Sequence, residues 1–198
     1  MKKILATLVF IGTCLALNAQ ATSIDLTPDR NQISAGDSLI LQVRIHGLTD
    51  FTAPSLGDYD VNLNYNPNIF NVASISWGDA TAGDQLDLSG SGSLKDQSNI
   101  NAGILNLFEL SFDNPWDLNT QQIGSFTLFH VLFSSIAAGT ADFSLDINAI
   151  GDAFGSAVNI DSIRPISVNV NTALVPEPSS FLLVLSGLIV ILWRVKKI

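Results

Sequence analysis

Apolar and polar residues alternate with a period of two along most of the middle of the chain. That period sends successive side chains to opposite faces and predicts β-strands. From Ser38 to His46, Leu39, Leu41, Val43 and Ile45 point one way, and Ser38, Ile40, Gln42, Arg44 and His46 the other. Over 58–66, Tyr59, Val61, Leu63 and Tyr65 fall on a core-facing side, while Asp58, Asp60, Asn62, Asn64 and Asn66 fall on a wet one. Ala141, Phe143, Leu145 and Ile147 alternate with Asp142, Ser144 and Asp146, and Ile166, Val168 and Val170 with Ser167 and Asn169. Further strands are expected over 24–27, 72–76, 104–111 and 123–133. Turn-forming runs separate them: Thr27-Pro28-Asp29, Ala35-Gly36-Asp37, Asn66-Pro67-Asn68, Asn114-Pro115 and Ala138-Gly139-Thr140.

No stretch carries a long 3.6-residue stripe. Roughly eight or nine short strands with one-sided faces predict an all-β fold, an antiparallel β-sandwich. The segment 78–101 is rich in Gly, Asp and Ser and reads as a long loop or a loose hairpin excursion.

Both ends break the alternation. Lys2 and Lys3 precede an apolar run over 4–17, and Ala19-Gln20-Ala21 fits a small-x-small cleavage site. This is the pattern of a secretory signal peptide over 1–21, cleaved after Ala21 by signal peptidase following export by the Sec machinery. The alternatives are a permanent N-terminal anchor, for which the run is short, and lipidation at Cys14, where Thr13 replaces the small residue expected before the cysteine.

The C-terminal end has three parts: Val175-Pro176-Glu177-Pro178-Ser179-Ser180, an apolar run over 181–193, and Arg194-Val195-Lys196-Lys197-Ile198. A helix over 181–193 is about 20 Å long, less than the ~30 Å hydrocarbon core. Ser179, Ser180 and Val195 lengthen it, Trp193 suits the interface, and Arg194 can snorkel. A single transmembrane helix is expected, with Arg194, Lys196 and Lys197 held cytoplasmic and the middle of the chain exported.

Composition sharpens this division. The chain has 198 residues, 47% hydrophobic and 14% charged, which argues against disorder. Its formal net charge of −9 averages unlike parts. Over 22–175, Arg30, Arg44, Lys95 and Arg164 stand against sixteen Asp and Glu109, leaving −13. Such a surface repels phosphates, so no nucleic-acid partner is expected. The single cysteine, Cys14, falls in the leader, which excludes a disulfide framework and a cysteine zinc site.

VPEPSS, a short apolar helix and a basic cluster together resemble the PEP-CTERM sorting signal, with Pro176, Glu177 and Pro178 as its tripeptide. The resemblance covers 176–198. It implies an exported protein of a Gram-negative bacterium, processed by the membrane protease exosortase. The middle, 22–175, has its own resemblance. AGDSLILQVRIHGLTD is similar to the first core strand of cohesin modules. GDYDVNLNYNPNIFNVASISWGD resembles the cohesin strand that ends in Tyr-Asp-Pro, here Tyr65-Asn66-Pro67. IGSFTLFHVLFSSIAAGTADFSLDI is similar to a cohesin strand pair joined by an Ala-Gly-Thr turn. The resemblance implies a jelly-roll-like sandwich, shared with carbohydrate-binding modules, that takes a dockerin-like protein or a glycan. Fold alone does not settle function.

The chain carries little catalytic material. His46 falls on an outward register and His130 among Phe129, Val131 and Leu132. No nucleophile elbow, phosphate loop or His-Glu-x-x-His motif is present, so no catalytic residue is assigned. Calcium needs several oxygen ligands. Asp146-Ile147-Asn148-Ala149-Ile150-Gly151-Asp152 begins like an EF-hand loop but fails at Ile150 and Ala157. Asp79, Asp84 and Asp87 in the long loop, and the Asp58/Asp60 face, are looser calcium candidates; otherwise no cofactor is expected. Glycan binding needs exposed rings beside amides, which points to Trp77, Trp116, Phe51 and Phe154 with Asn62 and Asn64. The polar strand over 58–66 is also a candidate protein-binding face.

The expectation is an exported, surface-associated, non-catalytic binding or adhesion module at the cell envelope or outside it, anchored transiently or stably through 181–193. The alternative is a structural, acidic component of the extracellular polysaccharide matrix, bridged by calcium. A hydrolase built on a carboxylate pair is a third option.

Overall fold

The structure, a computed structural model, describes residues 21–173. The leader through residue 20, including Ala19 and Cys14, and the tail with its Pro-Glu-Pro, apolar run and basic cluster lie outside the described residues. In chain order the elements are β1 (Ser23–Pro28), β2 (Gln32–Ser34), β3 (Ser38–His46), β4 (Leu56–Asn64), β5 (Phe70–Trp77), β6 (Ser93–Asn101), β7 (Ile104–Ser111), α1 (Pro115–Gln121), β8 (Phe126–Ser135), β9 (Gly139–Asp152), β10 (Ser162–Arg164) and β11 (Ile166–Asn171). They form a two-sheet sandwich. One sheet has the order β10-β1-β3-β8-β5, the other β2-β11-β9-β4-β7-β6.

The alternation places the core as expected. Leu39, Leu41, Val43 and Ile45 of β3 and Tyr59, Val61 and Leu63 of β4 are buried between the sheets, as are Ala141, Phe143 and Leu145 of β9. At one end Phe70, Phe133 and Phe143 meet with ring centres 5.2–5.7 Å apart. At the other, Tyr59 and Trp77 flank Phe129 at 6.0 and 6.3 Å. These tilted and edge-on pairs add to the area term, which is about 1.5–3 kcal/mol for each large apolar side chain.

Three features differ from the sequence expectation. The sheets are not purely antiparallel: β1 pairs with β10, and β2 with β11, in parallel. Both additions are three-residue strands, too short to show an alternation. The segment 78–101 departs from the long-loop reading and agrees with the hairpin one, since it contains β6, an edge strand paired antiparallel with β7. The strand Ser93–Asn101 lacks apolar alternation because its side chains are exposed from Leu94 onward. Finally, 115–121 is helical. Asn114 is its N-cap, accepting a 2.9 Å bond from Trp116 N, and Pro115 opens the first turn.

Buried amides fasten α1 and its exit to the sandwich. Asn119 Oδ1 accepts from Ser55 N and Oγ at 3.2 and 2.7 Å. Gln122 accepts from Leu56 N at 2.6 Å and donates to Leu56 O and Gln85 O, both at 2.9 Å. The described chain enters and leaves at opposite ends of the sandwich. Thr22 lies against Gly47, just beyond β3, whereas Asn171 accepts from Ala35 N in the turn before β3.

Candidate functional site

Strand β4 is central in its sheet, so its outward side chains meet partners on both sides. Asp60 lies opposite Phe108 on β7 and Ala149 on β9, and Asn62 opposite Asn106 and Asp146. A hydrogen-bonded ring results. Asn106 Nδ2 donates to Asp60 Oδ1 at 2.6 Å and to Asn62 Oδ1 at 3.0 Å. Asn62 Nδ2 donates to Asn148 Oδ1 at 3.1 Å, and Asn148 Nδ2 returns to Asp60 Oδ1 at 2.9 Å. Next to the ring, Asn64 Nδ2 donates to Asp146 Oδ2 at 2.8 Å. Each ring amide spends at least one N–H inside the ring and Asp60 Oδ1 accepts twice, while Asp60 Oδ2 has no partner among the described residues. Its side chains are held by each other before any ligand arrives, which lowers the ordering cost of binding.

An apolar strip borders the ring. Asp58 is paired with Leu110, Leu110 with Leu94, and Asp60 with Phe108. Leu94 is 50% exposed and Leu110 37%. The face of β9, β4, β7 and β6 therefore combines an acceptor-rich polar centre with an apolar flank. Asp58 lies at its upper border, where burial and then the nearby Asp152 charge push its carboxyl up from 3.8.

The structure brings Asp58, Asp60, Asn62 and Asn64 together on this face, and it separates the other candidates from it. Trp77 is not an exposed platform. Its ring packs half-buried against Tyr59 and Phe129 because it falls on the inward register of β5. Trp116 is 69% exposed on α1 and stands edge-on to exposed Phe154, with ring centres 5.5 Å apart. Asn106, Leu94 and Leu110, which the sequence reading does not pick out, complete the face together with Asp146 and Asn148 of the rejected EF-hand-like stretch. The outward register of 104–111 marks Asn106, whereas the cross-strand pairing that makes the ring has no local signal.

Asp79, Asp84 and Asp87 do not converge. Asp79 accepts from Thr81 N, Ala82 N and both Thr127 N and Oγ1. Burial works to raise its pKa, but these bonds win and lower it to about 2. Asp84 pairs with Lys95 at 2.5 Å, and Asp87 accepts from Gly92 N at 2.8 Å. Among the described residues no three His, Cys, Asp or Glu side chains gather as a metal site. His46 Nε2 lies 3.6 Å from Asp25, and His130 sits on the outer face of the other sheet, opposite Gln42 and Ser76.

One buried ionisable cluster lies beneath the candidate face. Glu109 is 0% exposed on the inward side of β7. It accepts from Tyr59 Oη at 2.9 Å and Ser93 Oγ at 2.7 Å, with Lys95 Nζ at 3.3 Å. Burial raises its pKa to about 7; Asp84 adds to the rise, while Ser93, Lys95 and Tyr59 oppose it.

No protein-family model matches the chain, and no curated protein matches its sequence. Solved structures do match in fold. A non-cellulosomal cohesin from Archaeoglobus fulgidus aligns over 81% of this chain and 96% of its own, with TM-score 0.54 and 19% identity. A type II cohesin domain from the cellulosome of Acetivibrio cellulolyticus aligns over 75% and 95%, with TM-score 0.58 and 18% identity. A type I cohesin–dockerin complex from Clostridium thermocellum aligns over 75% and 99%, with TM-score 0.56 and 12% identity. The chain therefore has a cohesin-like β-sandwich fold.

Proposed function

We propose that this chain is an exported, non-catalytic binding module whose partner is a protein docking on the outer face of β9, β4, β7 and β6. The observation that carries the reading is the closed Asp60–Asn106–Asn62–Asn148 ring beside exposed Leu94 and Leu110. A protein partner supplies both donors for the acceptors and apolar side chains for the strip, the usual mixture of an interface. The fold adds a partner class, since matching cohesins were solved as complexes with dockerins; a dockerin-like protein is the first candidate.

The terminal segments add the setting. Export follows from the basic n-region, the apolar run and Ala19/Ala21; sorting by exosortase follows from the Pro176-Glu177-Pro178 tail. Because Asn171 leaves the sandwich at one end, a tail held at a membrane leaves the binding face alongside the strands open to solvent.

The test uses the full chain, immobilised against the extracellular proteins of the cell that makes it, with the captured protein purified and its Kd measured. Asn62→Arg and Leu110→Arg each weaken binding at least about tenfold while Tm is kept, because they break the ring or the strip near the centre of the patch. Undiminished affinity in both variants would place the partner elsewhere.

A further inference from the structure

The sandwich is open along one side. β5 ends one sheet and β6 the other, and each is paired on one side only. Between them lies a cleft with two adjoining cavities of about 570 and 240 Å³ that share Val72 and Asn99. The larger falls within the ~300–1,000 Å³ range of small-ligand sites.

The chemistry of the cleft is uniform. Its walls carry Asn71, Ser74, Gln97, Asn99 and Asn101, and Tyr65 lies on its floor. Val72 and Leu105 supply the apolar base. No charged residue lines either cavity, in a domain whose formal charge is −13. The amides also differ from those of the binding face. Asn62, Asn106 and Asn148 bond one another, whereas Asn71, Gln97, Asn99 and Asn101 are exposed and bond to no described side chain. Each such amide offers two donors and a carbonyl acceptor.

We propose that this cleft is a second binding site, for a neutral polysaccharide. Sugar hydroxyls both donate and accept, which matches amides, and no charged side chain in the lining pairs with a strongly anionic or cationic ligand. The C–H face of a pyranose ring packs on an aromatic ring, and Tyr65 is held for this by Phe133, 5.2 Å away. An added peptide strand fits less well. Both cleft-lining strands are bulged where the cavities lie, β5 between Val72 and Ser74 and β6 between Asn99 and Asn101. Bulges interrupt the ladder that a new strand needs. The cleft shares β6 with the β4-centred face but draws on Gln97, Asn99 and Asn101, on the opposite register from Leu94, and on β5, so side-chain variants test the two sites separately.

The experiment is affinity electrophoresis of the full chain through gels containing glucomannan, xyloglucan, dextran or polyanionic alginate. At least one neutral polymer should retard the wild type, and alginate should not. The Asn71→Asp/Asn99→Asp double variant, which keeps side-chain size but removes four N–H donors, should weaken that retardation at least about tenfold. Asn62→Arg should leave it unchanged. Hydrogen exchange on the wild type provides a second readout that needs no variant: the retarding polymer should protect 71–75 and 97–101. Absence of retardation by all three neutral polymers, retardation by alginate alone, or protection confined to other strands would each overturn the proposal. Protection of β6 by an uncharged extended peptide but by no polymer would assign the cleft to strand addition instead, and would equally overturn it.

Discussion

The sharpest energetic prediction concerns Glu109→Gln. In the wild type the buried carboxyl keeps its proton up to about 7, against an ordinary value of 4.5. Between those values the folded chain binds more protons than the unfolded one, so stability falls as pH rises. At ~1.36 kcal/mol per tenfold step in proton affinity, the full effect is roughly 3 kcal/mol, complete above the folded value. Glutamine fills the same space without a charge. Its carbonyl can accept from Ser93 Oγ, and Tyr59 Oη can turn its proton toward Leu128 O, 3.5 Å away. Urea unfolding of the full chain at pH 5, 6, 7 and 8, followed by Trp emission, should show wild-type stability declining across this range. The decline should be largely absent in Glu109→Gln, and the variant should be the more stable of the two at pH 8. Asp79 acts in the opposite sense and in another window. Its pKa is lowered to about 2, so its stabilisation is complete above 3.8 and is lost as pH falls toward 2. Parallel profiles for wild type and Glu109→Gln between pH 5 and 8 would refute the assignment of that slope to the buried carboxyl.

Gln122→Leu should cost about 2–3 kcal/mol, because Leu56 N, Leu56 O and Gln85 O lose their partner inside the protein; urea unfolding measures the loss, and faster amide exchange in α1 should accompany it. Trp116→Ala should change stability by no more than about 0.5 kcal/mol, since the ring is mostly in solvent; a Tm drop typical of a core truncation would show that the ring is covered. Pro176→Ala, or deletion of 181–198, should change processing of the tail. Mass spectrometry that finds 181–198 intact on the mature wild-type protein, in a strain with active exosortase, would remove the cleavage reading.

The parts of the fold legible in sequence were those with one wet and one dry face. β3, β4 and β9 each bury alternate residues in the shared core, and periodicity records that burial. β6 was not legible because an edge strand beside an open cleft needs no apolar register. α1 was hidden by its length, one turn fewer than a 3.6-residue stripe requires, although Asn114-Pro115 carried the signal of a cap and first turn. Half of the candidate face could be read from the polar side of 58–64. Its other half comes from β7 and β9, and only the pairing register brings Asn106 and Asn148 to Asp60. Trp77 shows the reverse limit: its residue type suits a stacking platform, while its inward register on β5 decided for the core. Glu109 shares the inward register of Leu105 and Leu107, so the alternation that predicts the strand also marks a buried acid.

The most direct measurement of the central claim is a hydrogen-exchange footprint of the full chain with and without its captured protein partner. The account predicts slowed exchange across β4 (Leu56–Asn64), β7 (Ile104–Ser111) and the part of β9 over 142–149, with β1 and β3 unaffected. Protection confined to the sheet of β1, β3, β8 and β5, or to the loop carrying Phe154, would contradict it.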